Sequence, residues 1–194
     1  IHGRLGLEKE KYILLSAHRE ENIDTEKNFL SLFSAINAIA EKYGIPILYS
    51  CHPRSRRRLQ ISGFRLHQLV IQHEPLGFHD YNKLQMNAFA VVSDSGTLPE
   101  ESSFFTSIGH PFPAVCIRTS TERPEALDAG CFVLAGIDAE SLLQGVEMAV
   151  QMQREGCFGT PVADYTGENV SMKAARLIQS YTGVVNKMVW RKER

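Results

Sequence analysis

Cysteine is scarce and poorly spaced for chemistry. Cys51, Cys116, Cys131 and Cys157 form no C-x-x-C pair and no metal-ligand spacing, which excludes a zinc ribbon and argues against a disulfide framework. Cys51, Cys116 and Cys131 lie in apolar, strand-like runs, where reduced core thiols of a cytoplasmic protein are expected. An excess of one charge is also lacking: 21 basic against 22 acidic residues leave a formal net charge of −1, without the electrostatic footprint that nucleic acid requires. No apolar run approaches the ~20 residues of a membrane span, and no signal-peptide pattern occurs. Neither nucleic acid nor membrane is therefore expected as a partner. The phosphate loops G-x-G-x-x-G and G-x-x-x-x-G-K are absent, and so is H-x-x-x-H; no metal and no cofactor is expected. Ser95 meets the G-x-S-x-G elbow only superficially, because Ser93 and Thr97 stand where its glycines belong. The chain opens on Ile1-His2-Gly3-Arg4 rather than Met, and a polar run, Leu7 to Lys11, leads straight into a strand. That reads as a cut at a linker, so a C-terminal fragment of a longer protein is expected.

What is present is alternation. Short apolar runs predict strands at Tyr12–Ala17, Pro46–Cys51, Leu69–Gln72, Phe89–Ser93, Ala114–Arg118 and Phe132–Ala135. Helical periodicity through Phe29, Leu32, Phe33, Ile36, Ile39 and Ala40 predicts a helix over Asn28–Tyr43, stopped by Gly44. Further helices are predicted at Ser55–Ser62, Tyr81–Asn87, Pro99–Ser107, Pro124–Ala129, Ala139–Glu155 (capped by Asp138) and Val170–Tyr181. The length, 194 residues, suits one domain spanning 1–194. Strands apolar on both faces and separated by helices imply an α/β fold, a parallel sheet with helices on both faces. The run Arg54-x-Arg56-Arg57-Arg58 reads as a solvated helix face or, second, an anion or partner contact.

Ligands on such sheets sit at the carboxyl ends of the strands, and the polar residues gather there. The strands end in His18-Arg19-Glu20-Glu21-Asn22, His52-Pro53, His73-Glu74-Pro75, Ser93-Asp94-Ser95-Gly96 and Arg118-Thr119-Ser120-Thr121-Glu122-Arg123. Ser93 to Glu101 is the most informative stretch. Thr97-x-x-Glu100 reads as a capping box with Pro99 in the first helical turn, and free N–H groups at a helix N-terminus suit a phosphate. Glu101 suits a sugar diol. The alternative is a plain strand-turn-helix whose acids only cap it. His18 and His52 are each structural or functional; with Arg19, Arg118 and Arg123 they could neutralise a diphosphate. Arg123 precedes Pro124, which pushes its backbone out of the helical region. Tyr81, opening its helix, either stacks on a base or fills the core.

These segments, with Glu74-Pro75 and Tyr81, Glu100-Glu101 and Thr121-Glu122-Arg123-Pro124-Glu125, resemble in order and spacing the C-terminal half of the non-hydrolysing UDP-N-acetylglucosamine 2-epimerases. The resemblance spans about residues 12 to 136. It implies a Rossmann-like domain, the C-terminal one of a GT-B-type two-domain fold, whose last helix returns toward the other domain. It implies a UDP-sugar ligand, with Ser95, Gly96, Thr97 and His18 on the β-phosphate. Glu101 would take the ribose and Tyr81 the uracil, with His52 and Arg123 facing the diphosphate and sugar. The implied reaction inverts C2 by eliminating UDP and adding it back, with His18 and Arg123 as the catalytic candidates here. The acid and base carboxylates lie in the family's other half, so this chain alone is expected to be inactive. The resemblance further implies a homodimer for the whole protein and a place in surface polysaccharide (capsule) precursor synthesis. Thr97 in place of a second glycine, and the long Ser102–Pro113 segment, are similar to the subgroup acting on 6-deoxy sugars toward UDP-N-acetylfucosamine. A GT-B glycosyltransferase and a non-catalytic UDP-sugar-binding module are the alternatives.

Overall fold

In the computed structural model, which describes residues 1–192, all six predicted strands form. They are β1 (Ile13–Ser16), β2 (Ile47–Ser50), β3 (Val70–His73), β4 (Ala90–Ser93), β5 (Ala114–Cys116) and β6 (Val133–Leu134). They pair in parallel in the order β3-β2-β1-β4-β5-β6. Parallel neighbours need a crossover between them, and the chain supplies helices: α1 (His2–Leu5), α2 (Glu20–Ile23), α3 (Glu26–Tyr43), α4 (Pro53–Ser62), α5 (Phe78–Gln85), α6 (Leu98–Ser107), α7 (Pro124–Asp128), α8 (Ala139–Arg154) and α9 (Val170–Met188).

Alternation within the strands builds two core layers. Ile13, Leu15 and Ala17 face a layer with Phe29, Leu32 and Ile36 of α3 and Leu142 and Val146 of α8. Tyr12 and Leu14 face the opposite layer, with Leu84 of α5, Leu98 and Phe105 of α6 and Ala126 of α7. Cys51, Cys116 and Cys131 are buried in these layers and Cys157 is exposed; burial pushes the Cys116 thiol up to about 12.

The helices start where cap chemistry allows. Thr25 accepts from Asn28 N–H at the head of α3, and Asp138 accepts from Ser141 N–H at the head of α8. Helix α5 begins at Phe78, behind Gly77 and with Asp80 in its first turn, so Tyr81 lies inside this helix rather than opening it. Helix α4 begins at Pro53, two residues before the predicted start, because His52 serves as its cap. Three of the four arginines of α4 are taken up by acids: Arg54 by Glu20 and Asp24, Arg56 by Glu74, Arg58 by Glu26. Helix α9 runs seven residues past its predicted end and buries none of its side chains.

The strand order carries the consequence for function. From β1 the chain steps outward to β2 and β3, then returns to lay β4 on the other side of β1. At that switch point Ser16 of β1 stands opposite Ser93 of β4, so the loops leaving these two strands open a crevice at the carboxyl edge.

Candidate functional site

Asp94, the residue after β4, organises the crevice. Its side chain is wholly buried, a costly place for a carboxylate unless donors surround it. Its Oδ2 accepts from the N–H groups of His18 and Arg19, both at 2.8 Å, and from Asn22 Nδ2 at 3.1 Å. Asn22 Nδ2 also donates to the Ile117 carbonyl at 3.0 Å. One buried pair thereby ties the ends of β1, β4 and β5 together. Asp94 Oδ1 lies 3.3 Å from His18 Nδ1 without the alignment of a hydrogen bond. The His18 ring therefore has Nδ1 turned to Asp94 and Nε2 left for a ligand. Its ring centroid is 6.1 Å from that of His52. His52 is occupied on one side as the cap of α4, its Nδ1 accepting from Arg54 N–H at 3.3 Å.

The turn Ser95–Thr97 connects β4 to α6. Ser95 N–H donates to Ser93 Oγ, Thr97 N–H donates to Ser95 Oγ, and the two hydroxyls of Ser95 and Thr97 are 3.0 Å apart. Gly96 lies against the tip of Arg19: a Cβ there would stand 2.8 Å from Nη2, the far end of a flexible side chain that would have to move aside. The missing side chain lets a guanidinium lie over the turn, beside the amino end of α6. Positive charge, small hydroxyls and a helix N-terminus meet at one spot, a seat for a phosphate.

The capping box does not form. Thr97 has helical backbone angles (φ −87°, ψ −15°) and makes no side-chain cap bond, because a cap residue needs extended angles to reach back to the N–H groups. Its hydroxyl donates instead to Glu101 Oε1 at 2.8 Å. Glu101 Oε2 accepts from Gln85 Nε2 at 2.9 Å, so both oxygens of this half-buried carboxylate are held. Glu100 accepts from Arg123 Nε at 2.7 Å. Tyr81 is half-buried against the second core layer. Burial and then the Glu101 charge push its phenol above the ordinary value, with the Ser93 and Ser16 hydroxyls beside it.

The arginines divide. Arg19 reaches the turn. Arg123 sits at the head of α7, tied to Glu100 and, through Nη1, to the Glu122 carbonyl. Arg118, expected to help neutralise a diphosphate, is 5% exposed and fully engaged: Nε donates to Glu21, and its two terminal nitrogens grip Glu122 at 2.8 and 2.9 Å. A buried guanidinium needs such partners, so Arg118 is a brace between loops.

Of the residues singled out in the sequence, His18, Ser95, Gly96, Thr97, Glu101 and Tyr81 gather at the β1/β4 crevice, His52 borders His18, and Arg123 joins through Glu100. Asp94 and Asn22 stand on the sequence-read rim without a role assigned to them there, and Gln85 carries no signal in the sequence. A carboxylate directly after a buried strand was the available signal for Asp94. An apolar cavity of about 450 Å³, lined by Phe112, Phe132, Met148, Met152 and Phe158 among others, shares no residue with the crevice. Among the described residues no cluster of His, Cys, Asp and Glu could hold a metal ion.

The order of the strands and the polar carboxyl rim define a doubly wound α/β ligand-binding domain. The family model for UDP-N-acetylglucosamine 2-epimerase matches residues 2–179. A UDP-N-acetylglucosamine 2-epimerase of Methanococcus maripaludis is 36% identical over 160 residues, which are 80% of this chain and 42% of the relative. The solved UDP-N-acetylglucosamine 2-epimerase of Rickettsia bellii matches with a TM-score of 0.79 at 33% identity, covering 98% of this chain and 50% of its own. A Methanocaldococcus jannaschii UDP-GlcNAc 2-epimerase, solved in complex with UDP-GlcNAc and UDP, matches with a TM-score of 0.73 at 29% identity, covering 88% and 45%. The chain belongs to the UDP-N-acetylglucosamine 2-epimerase family. It spans about half the length of these relatives.

Proposed function

We propose that this chain is the UDP-binding, C-terminal half of a UDP-N-acetylglucosamine 2-epimerase, with a partner domain completing the cleft. The observation that carries the reading is the juxtaposition of an Arg19-covered phosphate turn with a carboxylate, Glu101, already fixed on both oxygens one helical turn away. A nucleoside diphosphate presents those two features, a multiply charged phosphate and a ribose cis-diol, a few bonds apart.

In the proposed reaction UDP leaves the sugar, a glycal forms, and UDP adds back after the proton at C2 is replaced on the other face. The C2 proton is not acidic, and loss of UDP gives its removal a leaving group. The work of this half is to hold the departing diphosphate. Arg19, His18 Nε2, the Ser95 hydroxyl and the Gly96 N–H meet the charge as the anomeric bond breaks. Glu101 keeps the ribose in place so that UDP returns to the same carbon. Tyr81 flanks the uracil, and His52 and Arg123 face the sugar side. The nearby acids Glu21, Glu100 and Glu122 are each tied to Arg118 or Arg123, which supports assigning the acid and base for C2 to the other half. The finer assignments follow from the same reading: an N-acetylhexosamine or its 6-deoxy analogue as the sugar, a homodimer, and cytoplasmic supply of surface polysaccharide precursors.

Titration calorimetry on the 194-residue chain tests the nucleotide reading. UDP is expected to bind, and 2′,3′-dideoxy-UDP to bind more weakly by about 1–3 kcal/mol, the worth of hydrogen bonds to a charged acceptor. Glu101→Ala should erase that difference. Absence of UDP binding, or equal affinity for the two nucleotides, overturns the assignment.

A further inference from the structure

Gln85 is wholly buried, with 0% exposure, in the last turn of α5 between Leu84 and Met86. A glutamine there brings two polar atoms into an apolar layer where Leu or Met would bring none. One of them is used: Nε2 donates to Glu101 Oε2 at 2.9 Å. The other, Oε1, has no partner. An unpaired buried carbonyl destabilises the fold, so packing alone does not account for this side chain. The amide orientation follows from charge. An ionised carboxylate only accepts, so of the two ends of the amide only the NH₂ group can face it.

The other oxygen of Glu101 is held from the α6 side by the Thr97 hydroxyl. Each carboxylate oxygen has two lone-pair directions. With one on each taken by the protein, one on each oxygen is left for a bidentate donor. A ribose cis-diol is such a donor, and Tyr81, one turn before Gln85 on α5, stands beside the same carboxylate.

We infer that Gln85 is a positioning residue: its buried amide locks the Glu101 carboxylate in the orientation that receives both ribose hydroxyls, and so makes the site selective for ribonucleoside diphosphates. This rests on the proposed role of Glu101. Gln85 has no contact with the ligand in this scheme and acts only through Glu101.

The test compares UDP with 2′,3′-dideoxy-UDP by calorimetry on the wild-type chain, Glu101→Ala, Gln85→Met and Gln85→Glu. Gln85→Met keeps the length and apolar body of the side chain and removes the donor. It is expected to weaken UDP binding roughly tenfold while leaving dideoxy-UDP affinity unchanged and the melting temperature equal or higher, because the unpaired carbonyl is removed as well. The dideoxy nucleotide therefore reports that the site is still folded. Gln85→Glu keeps the shape and sets a second acid against Glu101, and it should also lose the preference for UDP. If the wild type prefers UDP, Glu101→Ala loses the preference and both Gln85 variants keep it, Glu101 reads the ribose but Gln85 does not position it. If the wild type shows no preference, the Glu101 reading falls and this inference falls with it. If Gln85→Met weakens both nucleotides equally and lowers the melting temperature, and Gln85→Glu keeps the preference, Gln85 is a packing residue and the inference is overturned.

Discussion

At the scale of single residues, the site is governed by how buried charge is met. Arg118 is almost completely enclosed, and Glu122, which takes both of its terminal nitrogens, feels the return effect: the hydrogen bonds hold its carboxyl down from 4.5 to about 2. A carboxyl whose pKa is lower in the folded than in the unfolded chain stabilises the fold above the unfolded value. That contribution fades as pH falls from 4.5 toward 2. Glu122→Gln is therefore expected to lower the melting temperature at pH 7, and the gap between variant and wild type should close on acidification toward pH 2. Melting curves at a series of pH values check this; a gap that stays constant across the range would show that the ion pair contributes nothing. The same logic explains why Arg118 could not be told from Arg19 in the sequence. Both follow strands and both precede acids, but only the folded chain brings Glu21 and Glu122 onto one guanidinium.

At the scale of elements, caps and periods were legible and close approaches were not. Asp138 opens α8 and Gly44 closes α3 as read. The Thr97 capping box failed because the tight turn after β4 leaves Thr97 in the helical region, which no local pattern announces. Gly145 is a second case. In the middle of α8, glycine is a poor helix former and replacing it with Ala should help by about 1 kcal/mol. The added Cβ would, however, lie 2.7 Å from the Ala135 Cβ and 3.5 Å from Val133 Cγ1, and overpacking of that kind costs about 1–3 kcal/mol. Gly145→Ala is expected to destabilise the protein, whereas Gly183→Ala in α9, with nothing within 4 Å, should stabilise its helix. Denaturant titration and helical circular dichroism of the two variants separate crowding from propensity. Gly145 is glycine because α8 presses against the sheet there.

At the scale of the molecule, two apolar layers hold the sheet, and α9 belongs to neither. Leu142 is wholly buried beneath α8, while Leu177 and Ile178 on α9 are 60% and 67% exposed. Leu142→Ala should cost about 2–5 kcal/mol, as core truncations do, and Leu177→Ala less than about 0.5 kcal/mol. Comparable losses for both would place α9 in the core. In the sequence the two helices look alike: each repeats apolar residues at helical spacing. Periodicity reveals that a helix has an apolar face and is silent on what covers it. Among the described residues no helix is long and apolar enough to cross a membrane.

The sequence by itself determined the alternation of strands and helices, the parallel class of the sheet, and the rim on which His18, Ser95 and Glu101 stand. Those features depend on side-chain period and on neighbours within about four residues, so they are written locally. Only the tertiary structure decided which rim segments meet. The return of the chain from β3 to β4 brings the ends of β1 and β4 together. It lets Asn22 reach the carbonyl of Ile117, 95 residues away, and Gln85 reach Glu101, 16 away. Which donor finds which acceptor across such separations depends on strand order and on burial, where every polar group must be matched or left at a cost. The residue types of the site could therefore be read along the chain, while their partners, and with them the division between Arg19 at the turn and Arg118 as a brace, were settled by the fold.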